Sequence, residues 1–302
     1  MTLLELKIFS DIASEKSFAK AADLNFVTQP SISSHIKHLE EEFGVRLFER
    51  VPRNVRLTRE GALLLPYVRD ILLKADNLKI LARKSKKLPQ GNIRSATIHS
   101  IGIYELSPIL KKFMAAYPQI NLHLQYRRAD AIYELVLKNE VDFGIVAYPE
   151  DHHGIKVIPF TSDNLVLITP ADHPLGKKQR VPLKKIQGEN FIAFDDGIPT
   201  RKAIDKILAA KRVDVSIRMT NDNVDTLKSA VEVGLGISIV PSKTVVSEVQ
   251  RGALRAVQIS DAKLTRPLGI LLPKGRELNY PVQIFLKTLT QKSELFDLPV
   301  HF

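Results

Sequence analysis

Polar side chains that can read DNA are concentrated at the start of one predicted helix near the N-terminus. They are Thr28, Gln29, Ser31, Ser34, His35 and Lys37. Hydroxyl, amide and ammonium groups of this kind bond base edges and phosphate oxygens, and the amino end of a helix favours a phosphate. A short predicted hairpin downstream adds Arg50, Arg53 and Arg56, which suit contacts to the DNA backbone or minor groove. Together these residues predict an interface with double-stranded DNA.

The helix that presents the polar set is predicted to be the second helix of a helix-turn-helix. Ser17 is a suitable N-cap for the first helix, and residues 25–28 form a short turn. The second helix opens at Thr28, has Pro30 in its first turn and ends at Gly44. Small side chains let such helices cross closely, and these are Ala13, Ala21 and Ala22. We interpret the acidic run that ends the second helix, Glu40, Glu41 and Glu42, as a solvated face pointing away from DNA.

A small wing and a long helix are predicted next. Residues 45–50 and 54–58 roughly alternate apolar and polar side chains, as in a β-hairpin. From Thr58 to Lys87 the pattern predicts a helix of about 30 residues, or about 45 Å, although Pro66 counts against an unbroken one. Its apolar stripe consists of Leu64, Val68, Ile71, Leu72, Ala75, Leu78 and Ala82. An exposed helix with one such stripe usually finds a partner helix.

Strands and helices alternate after a boundary at residues 84–92, where a lysine-rich run is followed by proline and glycine. Strands are predicted at 94–99, 120–126, 142–147, 163–169, 190–194, 214–219, 236–240 and 266–272, and helices at 103–117, 129–139, 200–211, 223–234, 242–251 and 279–291. This alternation predicts parallel sheets with helices on both faces. Two similar α/β lobes with a cleft between them follow from it.

Composition and charge limit the kinds of partner and site that this chain can have. The net charge of +11 in 302 residues favours a polyanionic partner, although many soluble proteins are basic. The absence of cysteine excludes disulfides, thiolate metal sites and a cysteine nucleophile. The N-terminus lacks the pattern of a signal peptide, and no apolar run is long enough to span a bilayer, so we expect a cytoplasmic protein without membrane contact.

The first 61 residues resemble the LysR-type transcriptional regulators. The matching segments are Leu6–Phe9, Ser17–Ala22, Thr28–Ser33, Ile36–Glu40, Leu47–Arg50 and Leu57–Gly61. The resemblance implies that residues from Thr28 to Lys37, with Pro30 and Ser33 among them, read the major groove, while the three wing arginines hold DNA. It also implies a homodimer or homotetramer built through the long helix, a promoter or operator as the DNA partner, and contact with RNA polymerase. Ser33 also fits a merely solvated helix position.

The resemblance extends more loosely to the rest of the chain and implies a small-molecule effector. The implied fold is α/β with an all-α-plus-wing N-terminal domain: a winged helix-turn-helix (1–58), a linker helix (59–88) and a two-lobed effector domain of periplasmic-binding-protein type (92–302). Lobe I would comprise 92–162 and 267–302, and lobe II 163–266. The matching effector positions are Ser100, Ile101, Gly102, Arg127, Arg128, Pro199, Thr200, Arg201 and Asn223.

An anionic effector is expected at these positions. Helix amino ends near Gly102 and Thr200 would direct N–H donors into the cleft. Arg127, Arg128 or Arg201 would pair with a carboxylate or phosphate, and the alternative for each is an ordinary surface residue. The segments 191–206, 223–228 and 234–236 are similar to the branch of the family that controls carbon-fixation and inorganic-carbon genes. The resemblance implies phosphorylated or carboxylated effectors for that branch.

Other motifs carry less weight. We interpret Gly234 and Gly236 as the end of a helix that leads into a strand. We interpret His152 and His153 as turn residues that do not share a metal ion, and we expect the side chains of Asp195 and Asp196 to point in different directions. We therefore expect no catalytic set, no metal and no cofactor. Three alternatives stay open: a solute-binding protein, which would need a signal peptide; an enzyme, which would need a catalytic set in the cleft; and a nonspecific nucleic-acid binder, which would not distinguish its promoter from scrambled DNA.

Overall fold

A computed structural model describes residues 1–51, 54–83 and 89–290. The N-terminal part consists of three helices and a two-stranded wing: α1 (Leu3–Glu15), α2 (Phe18–Asn25), α3 (Gln29–Phe43), β1 (Phe48–Val51) and β2 (Asn54–Leu57). Ser17 caps α2 through its side chain, which accepts from the Lys20 amide. Thr28 occupies the N-cap of α3 in extended backbone but makes no capping side-chain bond, and Gly44 ends α3 at φ 70°.

The helices share one core with the wing. Its largest fully buried members include Phe9, Ile12, Ile32 and Leu39. The Phe48 ring of the wing stands edge-on to that of Phe9, with 5.5 Å between centroids. This packing fixes the position of the wing beside α3.

Helix α4 (Arg59–Arg83) continues through Pro66 without a break. Val68, from the predicted stripe, and Leu65 are buried against the helix-turn-helix core, so its first turns belong to that domain. Among the side chains of this helix that the structure describes, the large exposed apolar ones are Leu63, Tyr67, Ile71 and Leu78. The predicted extension to Lys87 and the side chain of Ala82 lie outside the described residues.

The remainder is built on one large mixed sheet and one parallel strand pair. The strands are β3 (Gly91–Thr97), β4 (Ile120–Tyr126), β5 (Phe143–Ala147), β6 (Ile155–Pro170), β7 (Arg180–Val181), β8 (Asn190–Phe194), β9 (Ser216–Asn221), β10 (Ser238–Pro241), β11 (Leu254–Ile259) and β12 (Thr265–Pro273). The helices are α5 (Ser107–Ala116), α6 (Ala129–Leu137), α7 (Pro199–Ala210), α8 (Val224–Glu232), α9 (Val246–Gln250) and α10 (Tyr280–Thr290), with a π-helical turn at Ile101–Leu106 and 3-10 turns at Pro174–Lys177, Leu183–Ile186 and Ser242–Val245.

The sheet is mixed rather than purely parallel as predicted. Strands β3, β4 and β5 are parallel, but β12 lies antiparallel between β5 and β6. The physical reason is that the chain returns from the second half of the molecule through β12, in the opposite direction. The strand predicted at 163–169 is the second half of β6, which begins at Ile155.

Two hydrophobic cores define two lobes. The first-lobe core includes Phe113, Phe143, Ile158, Leu268 and Phe285, and the second-lobe core includes Leu165, Phe191, Leu227, Ile239 and Leu264. Strands β6 and β12 pass between the two cores at residues 161–165 and 264–268, a segment that we call the crossover. No helix in the described ranges has the length and apolar character needed to cross a bilayer.

Candidate functional site

The outer face of α3 presents the polar residues that the sequence singled out. Exposed members of the set are Thr28, Gln29, Pro30, Ser33, Ser34 and Lys37, whereas Ser31 and His35 are half-buried. A groove between α3 and the wing is lined by Gln29, Ser33, Ser34 and Lys37. Arg56 is exposed on β2. Arg53 and the side chain of Arg50 lie outside the described residues.

Glu40 positions the wing rather than forming part of a solvated face. Its Oε1 accepts from the amides of Leu47 and Phe48, at 2.7 and 3.3 Å. A carboxylate that accepts two backbone N–H groups ties the end of α3 to the first wing strand. This contact was missed because a run of three glutamates resembles a surface helix face.

His35 and His38 lie beside the buried carboxylate of Glu5. The Glu5 Oε1 atom is 2.7 Å from His38 Nδ1 and 3.9 Å from His35 Nδ1. Burial opposes ionisation of Glu5, but hydrogen bonds from Thr2 and His38 hold its pKa below the usual value. The carboxylate therefore joins the start of α1 to α3 and holds the recognition face in place.

A cavity of about 590 Å³ lies between the two lobes. Six of the predicted effector residues line it: Ser100, Arg127, Arg128, Pro199, Thr200 and Asn223. The first three come from the loops after β3 and β4, and the others come from the starts of α7 and α8. Loops that follow the carboxyl ends of parallel strands thus meet across the cleft.

Three other predicted residues do not line the cavity. The amides of Ile101 and Gly102 both donate to the Ile98 carbonyl, so these donors are already used. A Cβ at Gly102 would lie 2.2 Å from the Tyr126 ring, so glycine makes room for that ring. The guanidinium of Arg201 bonds Asp205 and the carbonyl of Phe194 and is buried.

The two arginines at the rim keep local partners. Arg127 is exposed and donates to the carbonyl of Tyr126. Arg128 lies 4.0 Å from Asp195, across the cleft. Since its side chain is nearly half exposed, this ion pair is weak.

Arg266, which sequence reasoning missed, lies in the cavity wall. It is 3% exposed and donates through Nη2 to Ser100 Oγ, at 2.8 Å. Burial lowers its pKa to about 10, and the nearby Asp163, Tyr148 and Glu105 oppose part of this shift. The signal available in the sequence was an arginine at the start of an otherwise apolar strand.

A polar network joins the lobes beside the cavity. Lys228 Nζ, on α8, lies 2.7 Å from Tyr104 Oη, 2.8 Å from Asp225 and 3.0 Å from Glu248. The Tyr104 hydroxyl also donates to Asp225. Tyr104 belongs to the π-helical turn, whose Ile101 and Leu106 are part of the first-lobe core. Through Tyr104 this turn connects the two lobes, and π-helical turns are frequent at functional sites.

Comparison with known proteins identifies both halves of the chain. Residues 3–62 match the family described as "Bacterial regulatory helix-turn-helix protein, lysR family", and residues 86–294 match "LysR substrate binding domain". The chain is 34% identical over 278 residues to a "Probable RuBisCO transcriptional regulator" from Trieres chinensis, a match that covers 89% of this chain and 90% of that protein. It is 30% identical over 293 residues to the "HTH-type transcriptional activator CmpR" of Synechocystis, a match that covers 97% and 96%.

A solved structure supports the effector half. The "CcmR regulatory domain in complex with 2-PG" from Synechocystis PCC6803 is 30% identical, has a TM-score of 0.62, and covers 67% of this chain and 97% of that chain. Regulators of the matched family bind DNA and small-molecule effectors and form oligomers. The chain therefore belongs to the LysR family of transcriptional regulators, which are DNA-binding proteins and not enzymes.

Proposed function

We propose that this regulator binds a specific promoter as a homodimer or homotetramer in the cytoplasm, and that a small anion in the interlobe cavity modulates its contact with DNA and RNA polymerase. The observation that carries this proposal is the cavity itself, because its walls come from both lobes. A ligand that contacts both lobes favours one lobe arrangement over another, and this is how binding changes a distant surface.

The proposed DNA contacts are those of the exposed α3 face and the wing. We propose that Gln29 and Ser34, exposed in the groove beside the wing, contact base edges and that the exposed Lys37 and Arg56 contact phosphates. Arg50 and Arg53 remain part of the proposed wing contact.

The proposed dimer uses α4. Leu63, Tyr67 and Ile71 are exposed at four-residue intervals, which places them on one side of the helix. A second copy of α4 would cover them. The proposed domain division, at residues 1–58, 59–88 and 92–302, assigns this helix to the linker.

Anion binding is supported by the chemistry of the cavity wall. Ser100, Thr200 and Asn223 offer short hydrogen-bonding groups, and Arg128 and Lys202 add positive charge. The related CcmR regulatory domain was solved in complex with 2-PG, a small ligand. We therefore propose a metabolite that carries a carboxylate or phosphate group.

Lys37→Ala is expected to weaken binding to specific and scrambled DNA alike and to reduce the salt slope by about 1, whereas Gln29→Ala should reduce specificity by about 1–3 kcal/mol. The measurement is a titration of a DNA sequence selected from a random pool against its scrambled version, at several salt concentrations. Lys112→Ala, at an exposed lysine on α5, is the matched control. Unchanged affinity and salt slope in Lys37→Ala would contradict its phosphate contact.

Thermal unfolding tests the effector. A ligand at 100 times its Kd adds about 2.7 kcal/mol, which raises the unfolding midpoint by a few degrees. We expect such a rise with 2-PG or inorganic phosphate beyond that seen with chloride at equal ionic strength, and a smaller rise in Thr200→Ala and Arg128→Ala. Lys112→Ala should respond like the parent chain. If no anion in a panel of phosphorylated and carboxylated compounds raises the midpoint, an anionic effector is excluded.

A further inference from the structure

Arg266 occupies the strand crossover. In the β6–β12 register it lies opposite Asp163, two residues after Leu264 of the second-lobe core and two before Leu268 of the first-lobe core. It also lines the interlobe cavity. A charged group at this position therefore lies both in the wall of the cavity and in the strand pair that joins the lobes.

The hydrogen bonds of Arg266 are few for a buried arginine. A guanidinium carries five N–H donors, and among the described residues the structure gives this one a single acceptor, Ser100 Oγ. Its Nε is buried without a partner. Within the described part of the chain, no carboxylate comes within salt-bridge distance of it.

The nearby carboxylates of Asp163 and Glu105 bond other groups through one oxygen each, while Asp163 Oδ2 and Glu105 Oε1 are buried with no hydrogen-bond partner from the residues that the structure describes. Neither carboxylate forms a salt bridge with Arg266 in the described part of the chain, although both offset part of its charge. Asp163 accepts from the Ser242 hydroxyl at 2.8 Å and from the Asn164 amide at 2.7 Å. Glu105 Oε2 bonds Lys243 Nζ at 2.7 Å. A buried cation without a partner is strongly disfavoured, and native proteins usually neutralise such a charge with a counter-ion.

The cavity provides the place for that counter-ion. We propose that Arg266 is the anion anchor of the cavity and that, together with the Ser100 hydroxyl, it binds the carboxylate or phosphate group of the effector. This inference rests on the proposed function and deepens it, because it assigns the main contact with the anionic group to a buried residue, to which Arg128 and Lys202 at the rim add charge. A planar guanidinium suits both oxyanions, through paired N–H donors.

Binding of an anion to Arg266 would also affect the relative arrangement of the two lobes. The anion enters at the strand pair that connects the two cores, so its attraction acts on β12 and, through Ser100, on the loop after β3. The ligand then favours the lobe arrangement that brings Ser100, Arg266 and the α7 amino end closest together.

The test compares Arg266→Gln, which removes the charge but keeps an N–H donor, with Arg266→Lys and with the control Lys112→Gln, at an exposed lysine on α5 that does not line the cavity. Calorimetric titration with 2-PG and with inorganic phosphate gives Kd for each full-length protein. We expect Kd to rise at least tenfold in Arg266→Gln, to rise less in Arg266→Lys, and to stay unchanged within error in Lys112→Gln. The ligand-free Arg266→Gln variant should unfold at or above the midpoint of the parent chain, because no salt bridge among the described residues offsets the burial of the Arg266 charge.

The outcomes separate the two proposals. If the parent chain binds neither probe nor any anion of the panel, the proposed anionic effector fails. If the parent chain binds but Arg266→Gln binds equally well, only the anchor is overturned. A clearly lower midpoint in both ligand-free Arg266 variants would show that the guanidinium stabilises the fold, and this too would overturn the anchor.

Discussion

Replacing Lys228 with methionine is expected to lower the free energy of unfolding by about 3 kcal/mol at pH 7. Lys228 is 3% exposed and donates to Tyr104, Glu248 and the Thr244 carbonyl. Methionine fills similar space but leaves the Glu248 carboxylate, which is 13% exposed, without its cation. The expected loss lies at the low end of the range for a broken buried pair because Asp225 is about one-third exposed.

The loss should depend on pH. Burial opposes ionisation of Glu248 and Asp225, but hydrogen bonds from Lys228 hold the pKa of both below their usual values. A carboxyl group with a lowered pKa stabilises the folded state above its unfolded-state pKa, and this contribution disappears as the pH falls. The difference between Lys228→Met and the parent chain should therefore shrink from pH 7 toward pH 3.

Urea unfolding at both pH values measures this difference, and Tyr104→Phe is the matched control. It removes the hydroxyl that bridges the lobes but leaves the bond between Lys228 and Glu248, so we expect a loss of about 1 kcal/mol. A loss below about 1 kcal/mol in Lys228→Met, or one independent of pH, would contradict the role of the network.

Gly61→Ala should destabilise the DNA-binding domain by about 2 kcal/mol and weaken DNA binding, because the wing must shift to make room for the methyl group. A Cβ at Gly61 would lie 2.2 Å from the Leu47 carbonyl oxygen, which accepts from the Thr58 amide at 3.0 Å. Alanine usually stabilises a helix relative to glycine by about 0.5–1 kcal/mol. The clash outweighs this gain because the obstacle is backbone at the joint between wing and α4.

Gly44→Ala is the control for Gly61→Ala. Gly44 has φ 70°, and nothing lies within 4 Å of the position that a Cβ would take there, so only conformational strain of about 1 kcal/mol is expected. Unfolding of both variants and their affinity for the selected DNA provide the comparison. Equal stability of Gly61→Ala and the parent chain would contradict this prediction, because it would show that the backbone at Leu47 moves to accommodate the methyl group at little cost.

The helix-turn-helix was predictable because its signals are local. The cap at Ser17, the turn before Thr28 and the end at Gly44 each depend on neighbours within a few residues. Six cavity residues were also named, because they match effector positions of the family. Their loops meet because loops after parallel strands converge on one edge of a sheet.

Long-range contacts explain what the sequence did not reveal. Arg201 was expected at the ligand because it matches an effector position of the family, but Asp205, one turn later, binds its side chain. Arg266 was missed because its burial depends on Ser100, 166 residues away in sequence. The mixed sheet likewise follows from the return of β12, which no local pattern specifies.

Strand β6 is shared by the two lobes. Its 16 residues pair with β12 on the first-lobe side and with β10 and β11 on the second-lobe side. Rotation of one lobe against the other must twist this hydrogen-bonded ribbon, because β6 and β12 remain paired through the crossover. We therefore expect the joint to resist rotation of the lobes in the way that a torsion spring does.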